Sequence, residues 1–259
     1  MNKAGSKILG TFFFIVLISI LFYLIFLPKK IINRTVNKIE FSGNKFLAEN
    51  DYLKQTKLSG IKNYNDLKLT VIKDRLEKHP YILRADVEIK SKEVAVFITE
   101  KKMIAIILKG TKLNFVSDNL EVIPLLPNTK FIDLPVISNP GNKELKPFSF
   151  MKDEDLISAI KIIESTKMID KTMLSHLSEI NLRNGGDIVL TFSGYSAPVI
   201  LGRGEEARKI FYLKSLWDEQ SVSSRISNML KDISYIDLRF AGNIYTGPIT
   251  AGQNIGIVE

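Results

Sequence analysis

The pattern of apolar and polar residues divides the chain into one long apolar segment and a larger part in which short apolar runs alternate with polar turns. Residues 8–27 contain no charged side chain. A helix of this length extends roughly 30 Å, the thickness of the hydrocarbon core of a bilayer. The pattern therefore predicts a transmembrane helix at 8–27, with a short head at 1–7 before it and one water-soluble body after it.

A cleaved secretory signal is the alternative interpretation of this segment. The apolar stretch is long for a signal core, and Leu27-Pro28-Lys29-Lys30 offers no small-x-small cleavage site, so we favour an uncleaved anchor. Basic residues flank the segment on both sides, so the positive-inside rule does not choose an orientation. The short head before a large body favours translocation of the C-terminal part.

Residues 35–101 have the pattern of a small α+β unit. Alternating apolar residues predict a strand that ends at the turn Ser42-Gly43-Asn44. We expect Asn50 to cap a short helix, and Pro80 to end a second helix whose apolar residues recur at helical spacing. The predicted elements are a strand at 39–41, helices at 50–57 and 69–79, and a hairpin of strands at 85–89 and 94–98.

From residue 102 onward the pattern changes to many short strands, with two longer helices. The dipeptide Asn184-Gly185 and the following glycine predict a hairpin turn. A loop rich in Pro, Asn and Gly is expected at 133–147. Strands are predicted at 104–108, 113–116, 121–124, 180–183, 187–192, 198–201, 236–240 and 244–246, and helices at 153–164 and 205–230, the second broken near Ser221. The fold class is α+β, with a β-α-α-β-β unit followed by a larger mixed β domain with packed helices.

Composition and charge exclude several classes of function. The formal net charge is +8, but residues 1–34 hold five basic and no acidic residues, which leaves 31 basic and 28 acidic residues in the rest. The excess charge thus lies beside the predicted anchor, where anionic lipid headgroups are the simplest partner, and nucleic-acid binding is not expected. The absence of cysteine excludes disulfides and cysteine-based metal or redox sites.

Candidate catalytic residues do not form a recognisable constellation. His79 and His176 have no second ligand at metal-binding spacing, so we interpret both as structural. The segment Leu201-Gly202-Arg203-Gly204-Glu205-Glu206 could hold an anion at a helix N-terminus, but its acidic residues are better explained by the helix dipole. We therefore predict no enzyme activity, no cofactor, no metal and no small-molecule substrate.

Seven short motifs follow one another along nearly the whole chain. They are Ser42-Gly43-Asn44, residues 78–87 (KHPYILRADV), residues 98–105 (ITEKKMIA), Phe115-Val116-Ser117-Asp118, Asp133-Leu134-Pro135, Ile200-Leu201-Gly202 and residues 235–240 (YIDLRF). In this order they resemble the FtsQ/DivIB cell-division family, and the unit that follows the anchor resembles a POTRA domain. Tyr81 and Phe240 stand where that family commonly has Trp and Tyr.

The resemblance implies a non-enzymatic scaffold of the bacterial divisome. It implies a POTRA domain at 35–101, an FtsQ-type β domain at 102–251 and a short tail at 252–259. The N-terminus would be cytoplasmic and the bulk periplasmic, in the cell inner membrane at the division septum. The implied partners are FtsB/FtsL-type division proteins, with an FtsK-type upstream partner as a candidate at the POTRA domain. The implied role is recruitment of these proteins and help in controlling septal peptidoglycan synthesis.

The C-terminal strands offer a physical reason for partner binding. Ile244-Tyr245-Thr246-Gly247 contains neither charge nor proline, so a strand there is open to β-augmentation. Under the resemblance the contact residues are Arg239, Phe240, Ile244, Tyr245 and Thr246. For Phe240, burial in the core is an equally good interpretation.

In the POTRA domain, Val87 and Ile89 at the hairpin edge are candidate contacts for the upstream partner, and burial explains them equally well. Two other functions remain open from the residues. A POTRA-bearing transport or secretion chaperone would predict tandem repeats or a β-barrel, and a membrane-anchored cell-wall enzyme would need a convergent catalytic constellation. We find neither pattern in the sequence.

Overall fold

The computed structural model describes residues 3–26, 38–60, 68–90, 93–130, 132–141, 145–222, 233–240 and 242–248. Helix α1 spans Lys3–Phe26, and its side chains from 12 to 23, most of them large and apolar, are exposed. Across the described residues we find no helix that is both long enough and apolar enough to cross a membrane. The span expected at 8–27 runs past the described end of α1 and stays a prediction.

The first folded unit has the predicted order of strand, helix, helix, strand, strand. Its elements are β1 (Lys38–Ser42), α2 (Glu49–Gln55), α3 (Leu69–Glu77), β2 (Ile82–Lys90) and β3 (Glu93–Glu100). The sheet has the order β1-β3-β2, with β1 parallel and β2 antiparallel to β3. Helix α2 begins one residue before Asn50, with Ala48 at the N-cap position, so the predicted Asn50 cap was wrong.

Alternation along β3 explains why the two helices cover one face of this sheet. Val94, Val96 and Ile98 are buried, whereas Phe97 between them is exposed. Apolar side chains from the helices complete the core, because residues one turn apart lie on the same helix face. The buried helix residues are Tyr52, Leu53, Ile72 and Leu76.

The second unit is built on a nine-stranded sheet. Its elements are β4 (Met103–Lys109), β5 (Lys112–Ser117), β6 (Val122–Pro124), β7 (Val136–Ser138), α4 (Glu154–Ile169), α5 (Lys171–His176), β8 (Leu177–Asn181), β9 (Val189–Phe192), β10 (Val199–Ile200), α6 (Glu206–Val222), β11 (Ile233–Asp237) and β12 (Tyr245–Pro248). The strand order is β12-β11-β10-β9-β8-β7-β4-β5-β6. The pairs β4–β7, β7–β8 and β10–β11 are parallel, and the others are antiparallel.

One feature differs from the sequence prediction. Strand β7 lies inside the expected loop at 133–147, yet it pairs with both β4 and β8, and Ile137 at its centre is fully buried. Strands β8 and β9 pair in antiparallel register, so the predicted hairpin is confirmed, and its turn contains a short 3-10 helix at Arg183–Gly185. Residues 223–230 of the second predicted helix lie outside the described residues.

Residues that face one another across the sheet form the core of the second unit. The register aligns Ile180 with Leu190, Leu190 with Val199, and Val199 with Ile236, and all four are buried. Helix α4, whose first turn is capped by the carboxylate of Asp153, packs with α6 over this core. Ile236 and Leu238 are core residues, as predicted.

The cores of the two units are continuous near residue 101. Phe115 of β5 packs in the same cluster as Tyr81 of the first unit. The hydroxyl of Tyr81 accepts a hydrogen bond of 2.7 Å from the N–H of Leu126. Lys101 and Glu121 form an ion pair of 2.7 Å in which both side chains are largely buried. The boundary predicted between 101 and 102 therefore runs through a packed contact, and it stays a prediction.

Candidate partner-binding edge

Strand β12 lies at one end of the nine-stranded sheet. Within the described part of the chain it pairs only with β11, in antiparallel register. An edge strand leaves one row of backbone N–H and C=O groups unpaired, which can bind a further strand. The structure thus places Tyr245 and Thr246 of the predicted strand 244–246 at a sheet edge, whereas Ile244 lies before the strand, which continues to Pro248.

The hydrogen bonds of β11 show which of its residues face β12. The N–H of Ile236 donates to the carbonyl oxygen of Pro198 at 3.0 Å, and the N–H of Leu238 donates to that of Ile200 at 2.8 Å. Both acceptors lie on the β10 side of the strand. Because successive residues of a strand alternate in direction, residues 235 and 237 direct their backbone groups towards β12.

The register then fixes the orientation of β12. Tyr235 is paired with Gly247, so the backbone of Gly247 faces β11. The hydroxyl of Ser234 donates to the carbonyl oxygen of Gly247 at 3.2 Å, which agrees with this direction. The backbone N–H and C=O of Thr246, one residue earlier, therefore face away from the sheet. These are the groups that an added strand would bind.

The ring of Tyr235 lies against Gly247. A Cβ atom on Gly247 would lie only 2.8 Å from Cζ of Tyr235 and closer still to Cε1, so no larger residue fits without displacing the ring. An aromatic ring packed on a glycine of the neighbouring strand covers backbone that would otherwise be open to solvent. This contact explains a glycine in the middle of an edge strand.

Three apolar side chains form an exposed patch beside the edge, which we call the aromatic patch: Phe240, Ile244 and Tyr245. The rings of Phe240 and Tyr245 meet edge to face with their centroids 5.3 Å apart. Phe240 is 54% exposed and Tyr245 51% exposed. The alternative that Phe240 is a core residue is thus wrong, and the patch offers apolar area directly beside the outward-facing backbone of Thr246.

Arg239 is exposed, but its guanidinium is bound within the chain. It donates to both carboxylate oxygens of Asp237 at 2.6 to 3.1 Å and to Asp187 at 2.9 Å. The hydrogen bonds from Arg239 hold the pKa of Asp237 below its usual value, and the two carboxylates raise the pKa of Arg239. This ion cluster ties the end of β11 to the turn before β9.

The turn after β10 is shaped around the same arginine. Gly202 has a φ of +67°, and a Cβ there would lie 2.8 Å from Cγ of Arg239. The buried ammonium of Lys209 donates to the carbonyl oxygens of Leu201 at 2.9 Å and Arg203 at 3.1 Å. The guanidinium of Arg203 is paired with Asp155 at 2.6 Å. The cations of this segment thus bind the protein itself, which favours the structural interpretation of the motif over an anion site.

The two candidate residues of the first unit lie on its edge strand β2. Val87 is half-buried and packs against the core, whereas Ile89 is 50% exposed. The N–H of Ala85 points to the open side of β2, where it donates a part-buried hydrogen bond of 3.1 Å to the carboxylate of Glu77. Strands β2 and β12 therefore differ in whether their outward-facing backbone groups already have a hydrogen-bond partner within the described chain.

Both histidines have structural partners. In His79, Nδ1 accepts a hydrogen bond from the N–H of Tyr81 at 3.1 Å, so Nε2 carries the proton and donates to Gln55 at 2.9 Å. Burial, together with the charge of Lys101, lowers the pKa of His79 to about 4. His176 contacts the carbonyl oxygen of Ser193 at 3.1 Å. Among the described residues no three His, Asp or Glu side chains are grouped as a metal site would require.

Four residues that hold the edge in place were not predicted from the sequence: Tyr235, Gly247, Asp187 and Lys209. One signal was present, since a glycine within a short strand often marks a close backbone approach. The ion cluster had no such signal, because Asp187 and Arg239 are 52 residues apart in the chain.

Comparison with known proteins shows similarity over most of the chain. The family described as cell division protein FtsQ/DivIB, C-terminal, matches residues 105–239, and the FtsQ-type POTRA domain matches residues 34–101. A relative named cell division protein FtsQ, from Geotalea daltonii, is 24% identical over 179 residues. That alignment covers 69% of this chain and 62% of the relative, which is less than two thirds of the relative's length.

Proposed function

Because this chain belongs to the FtsQ/DivIB family of cell division proteins, we propose that it is a divisome scaffold that binds other division proteins at strand β12. The expected partners are of the FtsB/FtsL type, and the expected consequence of binding is control of septal peptidoglycan synthesis. Binding occurs by β-augmentation, in which an extended partner segment pairs with the outward-facing backbone of Thr246.

The observation that carries this proposal is the state of the β12 edge. The described residues from Gly242 to Pro248 contain no charged side chain and place proline only at the end. Charges and prolines along a strand are usual protections of an edge, and the described residues of β12 have none of these except Pro248 at the end, so this edge is suited to pairing. The aromatic patch adds exposed apolar area of the kind that protein interfaces bury at their centre.

A membrane anchor at 8–27 and residence in the inner membrane at the septum complete the proposal. The large apolar side chains exposed along α1 support an anchor, because a helix that is apolar on all sides is not stable in water. With the N-terminus cytoplasmic, the POTRA and β domains at 35–101 and 102–251 would lie in the periplasm. The scaffold acts by binding and has no catalytic turnover.

A second docking surface for an FtsK-type upstream partner is proposed at β2. Exposed Ile89 and half-buried Val87 support it. The support is weaker than at β12, since the N–H of Ala85 is already bound by Glu77.

The substitution Thr246→Pro tests β-augmentation at β12. It removes an outward-facing N–H and no hydrogen bond between β11 and β12, so the fold is expected to persist. Thr246→Val is the matched control, because it keeps the N–H and the branched shape. We expect the proline variant of the full chain in nanodiscs to bind the FtsB–FtsL-type pair about tenfold or more weakly than the valine variant. Equal affinities of the two variants would contradict the proposal.

A further inference from the structure

The register in which β12 pairs with β11 must be fixed by contacts beyond the strand's own sequence. The strand is short and uncharged and is paired on one side only, and such strands specify their register weakly. A shift by one residue would turn the backbone of Thr246 towards β11. Tyr245 and Gly247 would then face outward, and an added strand would meet different side chains.

One contact distinguishes the observed register from its neighbours. Beneath the ring of Tyr235 there is no room for a Cβ atom. In β12 only Gly247 lacks one, whereas the neighbouring residues Thr246 and Pro248 each carry a Cβ atom that this position would not accommodate. The φ of Gly247 lies outside the left-handed region, so what the site requires of this residue is space and not backbone freedom.

A second contact supports the same register from the partner strand. The pairing of β11 with β12 is irregular between Ile233 and Tyr235, and Ser234 at this irregularity donates its hydroxyl to the carbonyl oxygen of Gly247 at 3.2 Å. Bulges of this kind pin the register of antiparallel strands. The two contacts act on the same glycine from consecutive residues of β11.

We propose that Tyr235 and Gly247 are a positioning pair that sets the register of β12, so that Thr246 presents its backbone to a partner strand. This inference rests on the proposed function. It adds two residues that affect partner binding by fixing the position of β12, while their own backbone groups do not pair with the partner. Positioning by a ring and a glycine also predicts that the two residues are coupled, since either substitution alone changes the contact.

The test is a double-mutant cycle on the full chain in nanodiscs, with Gly247→Ala, Tyr235→Val and the double variant. Two quantities are measured for each: hydrogen exchange of the backbone in 244–248, and affinity for the FtsB–FtsL-type pair. We expect Gly247→Ala alone to speed exchange and to weaken binding about tenfold, because the added methyl group displaces the ring. In the Tyr235→Val background, which removes the ring, the same substitution should change affinity less than about twofold.

The two readouts separate failure of this inference from failure of the proposed function. Additive effects of the two substitutions, or unchanged exchange in Gly247→Ala, would overturn the positioning pair and leave docking at β12 intact. Faster exchange in Gly247→Ala with unchanged affinity would overturn docking at β12, and the positioning proposal would fall with it. Tyr235→Phe keeps the ring and should behave as the wild type in both measurements.

Discussion

The edge strands β2 and β12 end the two sheets of this protein in opposite ways. Along β2, charged side chains form neighbouring ion pairs, Arg84 with Asp86 and Lys90 with Glu88, and the carboxylate of Glu77 accepts the N–H of Ala85. Along β12 the described residues carry no charge. The charged side chains of that region belong to the ion cluster at the end of β11, in which Arg239 is paired with Asp187 and Asp237.

An exposed edge strand is not by itself a binding site. Charges along a strand edge oppose pairing with another chain, because a partner would have to desolvate them. Near β12 the ionic groups lie outside the strand, in the ion cluster around Arg239, and this cluster supports the strand. Because the described residues of β12 carry no charge, we propose this strand, with the aromatic patch beside it, as the main docking edge.

The largest expected difference in hydrogen exchange is between two matched arginine substitutions, one beside β12 and one on β2. Arg239→Met leaves the carboxylate of Asp237, whose side chain is only 6% exposed, without its counter-ion. We expect exchange of the β12 amides to rise about tenfold or more, measured by mass spectrometry. Arg84→Met removes an ion pair that is largely exposed, so exchange in β2 should change less than about twofold. Equal effects at the two edges would contradict the division of roles.

Acid should weaken the first unit before it weakens the β12 edge. The folded-state pKa of His79 is lowered to about 4 from 6.5, so the unfolded chain binds the proton first. The stability that neutral His79 contributes is complete above pH 6.5 and is lost as the pH falls towards 4, by about 2–3 kcal/mol near pH 4.5. Asp237 has a lowered pKa, so its contribution persists until the pH falls below 3.8. Calorimetry of wild type and His79→Gln between about pH 7 and pH 4.5 checks this, and an equally steep pH dependence in the variant would count against it.

The smallest expected effect concerns the protection of β2. Glu77→Ala removes the acceptor of the Ala85 N–H and should cost about 1 kcal/mol or less, with faster exchange at that amide. Glu77→Gln keeps a carbonyl acceptor and serves as the control. If β2 is a weaker docking edge because Glu77 occupies it, the alanine variant should capture upstream partners more readily than the glutamine variant. No difference in capture would remove Glu77 as the reason.

Much of the fold could be predicted from local patterns. Alternation and turn residues sufficed for the order of helices and strands along the first unit and for the segment at β12, because those signals are contained in a few neighbouring residues. Strand β7 was missed since it is three residues long and lies between turn formers. Its place in the sheet depends on pairing with β4 and β8, which are distant in sequence.

The position of the candidate site along the chain was predicted, but the contacts that hold it in place were not. Arg239 was predicted as a partner contact, whereas in the structure its guanidinium donates hydrogen bonds to Asp237 and Asp187. The pairing of Arg239 with Asp187 exists only in the folded chain and has no local signal, whereas the one local sign of the Tyr235 contact was the glycine within a short strand. Phe240 and Tyr245 were open to prediction because an uncharged, aromatic strand end is visible in the sequence itself.

The most direct test of the account is photo-crosslinking in dividing cells from the full chain, with the probe placed in turn at Tyr245, at Ile89 and at Lys161 on the exposed surface of α4. Mass spectrometry identifies what each probe captures. The account predicts that an FtsB-type division protein is captured from Tyr245 and not from Lys161, with weaker or different capture from Ile89. Capture of that partner from Ile89 or Lys161 but not from Tyr245 would contradict the assignment of β12 as the docking edge.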